Sequence, residues 1–584
     1  MLFFRVTAIF LTSILLSSCW EQSEVSSLET PFELSDSVQT ATYDEAIEWW
    51  AELERHSPYV KLQPVGQSDV GHPIHMAIIS ADRNFSLDHT QDKNKTVCLI
   101  NNAIHPGEPD GVDASMLFAR SLVTGKDYEK NYKQIVFLIV PFYNVGGAVN
   151  RNCCSRANQN GPVSYGFRGN ARNLDLNRDF AKADSKNAQT FLELFSSWNP
   201  DYYLETHVSN GANYPYTMTH LTSHPDKMSP VLAQYMKTEM IPDLFASMEE
   251  KSDAMIPYVN VHGSAPDSGY TSFYDSPRYS TGYTALVNSI GMLTETHMLK
   301  PFKQRVASTL RFIESWAGHI SSNPERIKQL RSEAETEMLA QEHFVLDWEV
   351  DMEQWSPLLF KGYKAYYDTS DATGLPQLYY DEDAPWEREI KYYDHLKPLT
   401  FVTAPKGYLV PRSWFEVVDR LGFNHVDMEL IEQDSAVDAT VYKIDKFETR
   451  KSPYEGHYHH YNTRVKSEKK KIGIRANEYF YVSCEQRAKR LIVEMLEPEG
   501  PDSYFNWNFF DEILQQKEWF SAYVFDEEAS HMLENDSIHE AYKAFVAQNA
   551  ELKDNAYLKL YYLYQHSDHY ESDRHMTYPV FRVE

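Results

Sequence analysis

Residues 135–141 read Ile-Val-Phe-Leu-Ile-Val-Pro, an unbroken apolar run closed by proline. A strand with one wet face alternates apolar and polar residues, so a run without alternation fits a strand covered on both faces. That cover takes helices, and helical patterns flank the run. Apolar positions recur at helical spacing over 43–56, 113–124, 183–198, 231–249 and 302–321. Between them lie strand signals at 74–80, 96–103, 202–206 and 292–296, and residues 66–71 read as a turn. Strands alternating with helices predict an α/β fold: a mixed, mostly parallel sheet with helices on both faces.

The texture changes near 325. A charged helical pattern over 325–341 leads into sequence rich in Trp and Tyr. Strand signals follow at 399–403, 439–444, 479–482 and 491–495, with helical patterns at 414–421 and 507–525. A chain of 584 residues exceeds one ordinary domain. The expected division is a catalytic-size domain over 41–325 and an accessory domain with β structure over 326–584. There is no internal repeat.

The N-terminus carries one charge, Arg5, before an apolar stretch over 6–16 that is too short to span a bilayer. It runs into Leu16-Ser17-Ser18-Cys19, which resembles the lipobox of bacterial lipoproteins. The resemblance implies a signal peptide over 1–19 and lipid attachment at Cys19; an ordinary secretory signal is the alternative. Residues 20–40 are rich in Ser and Glu and are expected to form a solvated tether. The predicted place is a bacterial cell envelope, with membrane contact only through the lipid anchor. A formal charge of −29 repels phosphate backbones, so no nucleic-acid partner is expected. Cys98, Cys153, Cys154 and Cys484 are too few for a disulfide scaffold. Export would permit one disulfide, whose pair is left open, as is the oligomeric state.

The chemistry-bearing residues cluster at predicted strand ends. The strand over 96–103 delivers the chain to His105-Pro106-Gly107-Glu108, a tight turn that can aim an imidazole and a carboxylate at one point. The spacing alone is weak evidence: His531 and Glu534 repeat it on a helical pattern, read as a surface helix. The first copy stands out by its company. Arg168-Gly-Asn-Ala-Arg-Asn-Leu-Asp175-Leu-Asn177-Arg178-Asp-Phe follows the next strand. Later come Tyr-Leu-Glu205-Thr-His207 and Leu-Thr-Glu295-Thr-His297, each on a strand signal. Open α/β sheets build their sites at strand ends. Two histidines and a glutamate form a zinc donor set that leaves a position for water.

With these motifs in this order, the chain resembles the zinc carboxypeptidase family, relatives of pancreatic carboxypeptidase A, over about 43–320. The resemblance implies a carboxypeptidase-like fold and one Zn2+ per chain held by His105, Glu108 and His207. It implies that Asp175 orients the first histidine, that Arg168 stabilises the oxyanion, and that Asn177 and Arg178 grip the substrate's terminal carboxylate. Glu295 matches the general base. The family's Asn-Pro-Asp-Gly-like turn is replaced by Asn144-Val145-Gly146-Gly147. The substrate-facing tyrosine has no clean motif: Tyr270, Tyr274, Tyr279 and Tyr283 all precede Glu295, with Tyr274 the expected choice by separation and Tyr283 its rival.

The implied activity is hydrolysis of a C-terminal amide bond in peptides or peptidoglycan stems. Two alternatives stand: a zinc deacylase of N-acyl amino acids on the same scaffold, and a non-catalytic envelope-binding lipoprotein. The motifs of serine hydrolases, thermolysin-like proteases and phosphate-binding loops are missing from the sequence. His457, His459 and His460 are read as a solvated strand or loop, and the basic run 464–471 as a solvated linker.

Overall fold

A computed structural model describes residues 25–549 and 552–584. The signal peptide and Cys19 lie outside the described residues. The main sheet has eight strands: β1 (Val60–Gln67), β2 (Pro73–Ser80), β3 (Thr96–Asn101), β4 (Ile135–Val140), β5 (Tyr202–Ser209), β6 (Met218–Thr222), β7 (Met255–Pro257) and β8 (Ile290–His297). Their order across the sheet is β1-β2-β4-β3-β5-β8-β6-β7. The central strands β4, β3, β5 and β8 run parallel, and antiparallel strands flank them. Every residue of β3, β4 and β5 is buried, as the unbroken apolar run requires.

The long helices form where their patterns predict. Tyr43–His56 starts at a capping box, with Thr42 and Glu45 satisfying each other's backbone N–H groups. Lys186–Trp198 is capped by Ser185 and ends at Asn199 in the left-handed conformation. Phe302–Ser322 packs along Asp110–Thr124. Arg305 fixes that pairing: fully buried, it donates from Nε to Asp110 Oδ2 at 2.9 Å, and its Nη groups reach the carbonyls of Asn160, Gly161 and Lys300.

Several expectations are corrected. Residues 25–40 do not form a solvated tether: Val25, Phe32 and Thr40 are buried, and Arg120 makes a two-pronged ion pair with Glu33. The boundary at 325 is too early, because helix Pro324–Ala340 belongs to the sheet domain and Arg331 pairs with Asp201 at 2.7 Å. Residues 66–67 end edge strand β1, whose mixed polarity and Pro64 hid it. Residues 489–496 form a helix where a strand was expected over 491–495. A short apolar run does not distinguish the two, and an Arg490–Glu494 pair one turn apart supports the helix. Of the helix expected over 507–525, only a 3-10 turn at Asp511–Leu514 and the first residues of helix Ala522–Met532 form; the rest is turn and coil. The basic run lies in strand His460–Ile474, and His459 and His460 are buried.

The C-terminal region contributes two long hairpins, Ser356–Thr369 with Pro376–Tyr393 and Ser435–Thr449 with His460–Ile474. It is not a separate body. Tyr392 and Tyr393 pair with Tyr270 and Thr271 from the loop before β8. A single buried apolar cluster runs from Trp50 to Trp507.

Candidate active site

At the end of β3 the backbone turns sharply. Ala103 adopts φ +54°, and the Glu108 N–H donates to the His105 carbonyl at 2.8 Å. This brings both side chains to the C-terminal edge of the sheet. Gly107 lets the turn pack closely, since a Cβ would lie 2.7 Å from Arg156 Cδ and 3.1 Å from the Gly166 carbonyl oxygen. Asn144 ties the turn to the next loop: its Nδ2 donates to the carbonyls of Ile104 and Arg168, while its Oδ1 caps helix Val145–Val149. The Gly146-Gly147 variation follows from packing, because a Cβ on Gly147 would meet the Phe167 carbonyl oxygen at 2.4 Å.

His105, Glu108 and His207 converge, with one ligand atom from each within 4.8 Å of the others and all three buried. His207 Nδ1 lies 3.0 Å from Glu108 Oε2, and His105 Nδ1 lies 3.3 Å from Glu108 Oε1. Both histidines thus turn Nδ1 inward. His105 Nε2 faces outward to Asp175 Oδ1 at 2.8 Å. Burial alone would raise Asp175, but His105 and Arg168 override it and hold the carboxyl well below the usual range. Among the described residues, this is the group of three or more ligand-type side chains close enough to share an ion. Two imidazoles and a carboxylate, each braced from behind, fit zinc.

The remaining predicted residues are placed as follows. Arg168 donates to Asp175 Oδ2 from Nε and Nη2, and its Nη1 stands 3.4 Å from Glu108 Oε1. A cavity of about 530 Å3 opens over the triad. Arg168, Asn177, Arg178 and Glu295 all line it. Burial in its wall pushes the Glu295 carboxyl up to about 7, partly countered by His207. Asn177 Oδ1 is buried without a partner, and Arg178 makes no ion pair among the described residues. The Arg178 Cζ lies 4.4 Å from the centroid of the Tyr279 ring, and its Nη1 donates to the Asn177 carbonyl at 2.7 Å. Tyr274 and Tyr283 are not in the cavity wall. The Tyr274 hydroxyl donates to Asp347 at 3.1 Å, and the Tyr283 hydroxyl donates to Asn424 at 2.8 Å from inside an aromatic core. Tyr258 and Tyr279 face the cavity instead. His297 is structural, its Nε2 held by the Ala212 carbonyl at 2.7 Å.

Sequence reasoning missed two contributors. Glu205, fully buried, places Oε2 3.1 Å from His207 Nε2 and accepts from the Ser280 and Tyr203 hydroxyls. A strand's period of two puts residues 205 and 207 on one face, so the signal was present in the Glu-Thr-His triplet. Arg156 donates to Glu108 Oε1 at 2.8 Å from a loop with no local pattern. That loop also holds the disulfide, which joins the neighbours Cys153 and Cys154.

Residues 46–252 match the family model for zinc carboxypeptidase. No curated protein matches the chain. Solved structures that it resembles include a metallo-carboxypeptidase from Pseudomonas aeruginosa, at 13% identity over 49% of this chain and 70% of that one, TM-score 0.38. Another, from Burkholderia cenocepacia, has 13% identity over 48% and 70%, TM-score 0.36. Carboxypeptidase A from Helicoverpa armigera has 15% identity over 49% and 75%, TM-score 0.33. The family match spans the His105–Glu108 turn, the Asp175–Arg178 segment and His207, and it ends before Glu295.

Proposed function

We propose that the chain removes C-terminal residues from peptides or peptidoglycan stems in a bacterial envelope, as a lipid-anchored zinc carboxypeptidase. The observation that carries this reading is the pairing, in one cavity, of the His105–Glu108–His207 triad with an Arg178 that makes no ion pair among the described residues. With its Nη1 on the Asn177 carbonyl and its Cζ over the Tyr279 ring, the Arg178 guanidinium is held in place beside the cavity as a cation for a carboxylate. Asn177 beside it adds an amide without an intramolecular partner for its oxygen.

His105, Glu108 and His207 would hold zinc, which when bound supplies Lewis acidity toward a carbonyl and makes water more acidic. Glu295 takes the proton of the attacking water and passes it to the leaving amine. Arg168, fixed by Asp175, presents Nη1 to the same cavity, where it offsets negative charge developing on the carbonyl oxygen. Arg178 and Asn177 hold the terminal carboxylate, which selects the last amide bond. The envelope assignment rests on the lipobox-like Leu16–Cys19 sequence; no helix among the described residues is long and apolar enough to cross a membrane.

Elemental analysis of wild type and His207→Ala tests the metal, and product analysis tests the reaction. About one zinc per chain, lost in the variant, with a free amino acid released from peptides, is expected. A folded wild type that takes up no supplied zinc would overturn the reading. Release of an acyl acid without peptide cleavage would replace it with the deacylase alternative.

A further inference from the structure

We propose that the C-terminal region is a working part of the active site, in which Glu455 is a positioning residue for the Asp175–His105 pair. The inference rests on the metal-site reading above and names a device within it. Strands Ser435–Thr449 and His460–Ile474 form a long hairpin whose connection, residues 450–459, projects onto the loop carrying Asp175. Glu455 Oε2 accepts the Asp175 backbone N–H at 2.7 Å, across 280 residues of sequence. Asp175 in turn holds His105 Nε2 and the Arg168 guanidinium. A carboxylate on the backbone of the bracing residue fixes where the brace stands, and braces set the orientation of metal ligands.

The turn that carries Glu455 holds it in a strained backbone conformation. Tyr454 and His457 exchange two backbone hydrogen bonds around Glu455 and Gly456, at φ +50° and +85°. Two central residues with positive φ mark the hairpin turn that favours Asn-Gly or Asp-Gly. Glutamate gains nothing locally from the left-handed conformation and pays for it in strain. Its longer side chain reaches Asp175. The turn is pinned on its other side too, by His457 Nε2 on Asp184 Oδ2 at 2.7 Å.

A second contact from the same region reaches the opposite wall. Asp502, fully buried, takes the Arg278 backbone N–H at 3.0 Å and its Nε at 2.8 Å. Arg278 adjoins Tyr279, the ring on which Arg178 lies. The C-terminal region therefore braces both the ligand side and the carboxylate-binding side of the cavity.

The test compares Glu455→Ala with Glu455→Gln, which keeps an acceptor oxygen and drops the charge. Zinc affinity is measured by chelator competition, and hydrogen exchange is followed at the Asp175 amide. Glu455→Ala is expected to weaken zinc about tenfold, the low end for groups behind a ligand, and to speed exchange at that amide. Glu455→Gln should restore both. Unchanged zinc affinity and exchange in folded Glu455→Ala would overturn the proposal. Faster exchange in a protein whose wild type binds no zinc would sink the metal-site reading while leaving the Glu455 contact standing.

Discussion

Glu295 on β8 stands directly across from His207 on the neighbouring parallel strand β5, so a candidate base and a candidate metal ligand share one face of the sheet by backbone register alone. No loop has to close to bring them together. Parallel pairing of two fully embedded strands sets their separation, and a slip of one residue would turn Glu295 away from the cavity. This rigidity suits a base that must meet a water molecule held beside the ligands.

Glu295→Gln preserves the shape of the carboxyl and removes its ability to take a proton. The variant is expected to retain zinc and to lose roughly 10²- to 10⁴-fold in kcat. Metal analysis and steady-state kinetics on the same preparation check this. Near-normal kcat would take Glu295 out of the base role.

Arg178→Ala is expected to raise KM for peptides with a free C-terminus, by about 1.5–3 kcal/mol or roughly ten- to a hundredfold, with a smaller change in kcat. Amidated peptides, which lack the carboxylate, should be poor substrates of the wild type and little altered by the substitution. Equal cleavage of free and amidated peptides by the wild type would refute the carboxylate grip.

Asp113 yields a stability prediction away from the chemistry. It is fully buried in the first turn of helix Asp110–Thr124, with the Thr40 hydroxyl on Oδ2 at 2.5 Å. Burial pushes its carboxyl up to about 7, against the Thr40 and Ala41 hydrogen bonds that lower it. An unfolded chain releases this proton near the ordinary aspartate value of about 3.9, whereas the folded protein keeps it to about 7. Stability from this group is therefore full at low pH and is lost as pH rises to about 7. Asp113→Asn cannot release a proton, so its Tm should fall less than the wild type's between about pH 4 and pH 7. Parallel Tm curves for the two proteins would count against a raised Asp113.

Much of the site was legible in the sequence because its chemistry is carried by strand-end residues. His105, Glu108, His207 and Glu295 each sit where a short apolar segment ends or presents one face. That geometry follows from strand periodicity and needs no knowledge of distant chain. Asp175, Asn177 and Arg178 were found by their local run, and they line or brace the cavity as a group.

What the sequence determined by itself was therefore the α/β layering of the N-terminal part and the identity of its ligand-type residues, since both depend on short-range periodicity and side-chain chemistry. Tertiary structure decided which tyrosines face the cavity. Tyr274 and Tyr283 occupy plausible positions, yet Asp347 and Asn424 from the C-terminal region claim their hydroxyls and leave Tyr279 beside Arg178. It also decided that residues 450–459 and Asp502 belong to the site, through contacts spanning 280 and 224 positions. Local sequence cannot encode such pairings, because they exist only once a long hairpin has folded back across the sheet domain and both sides have been withdrawn from water.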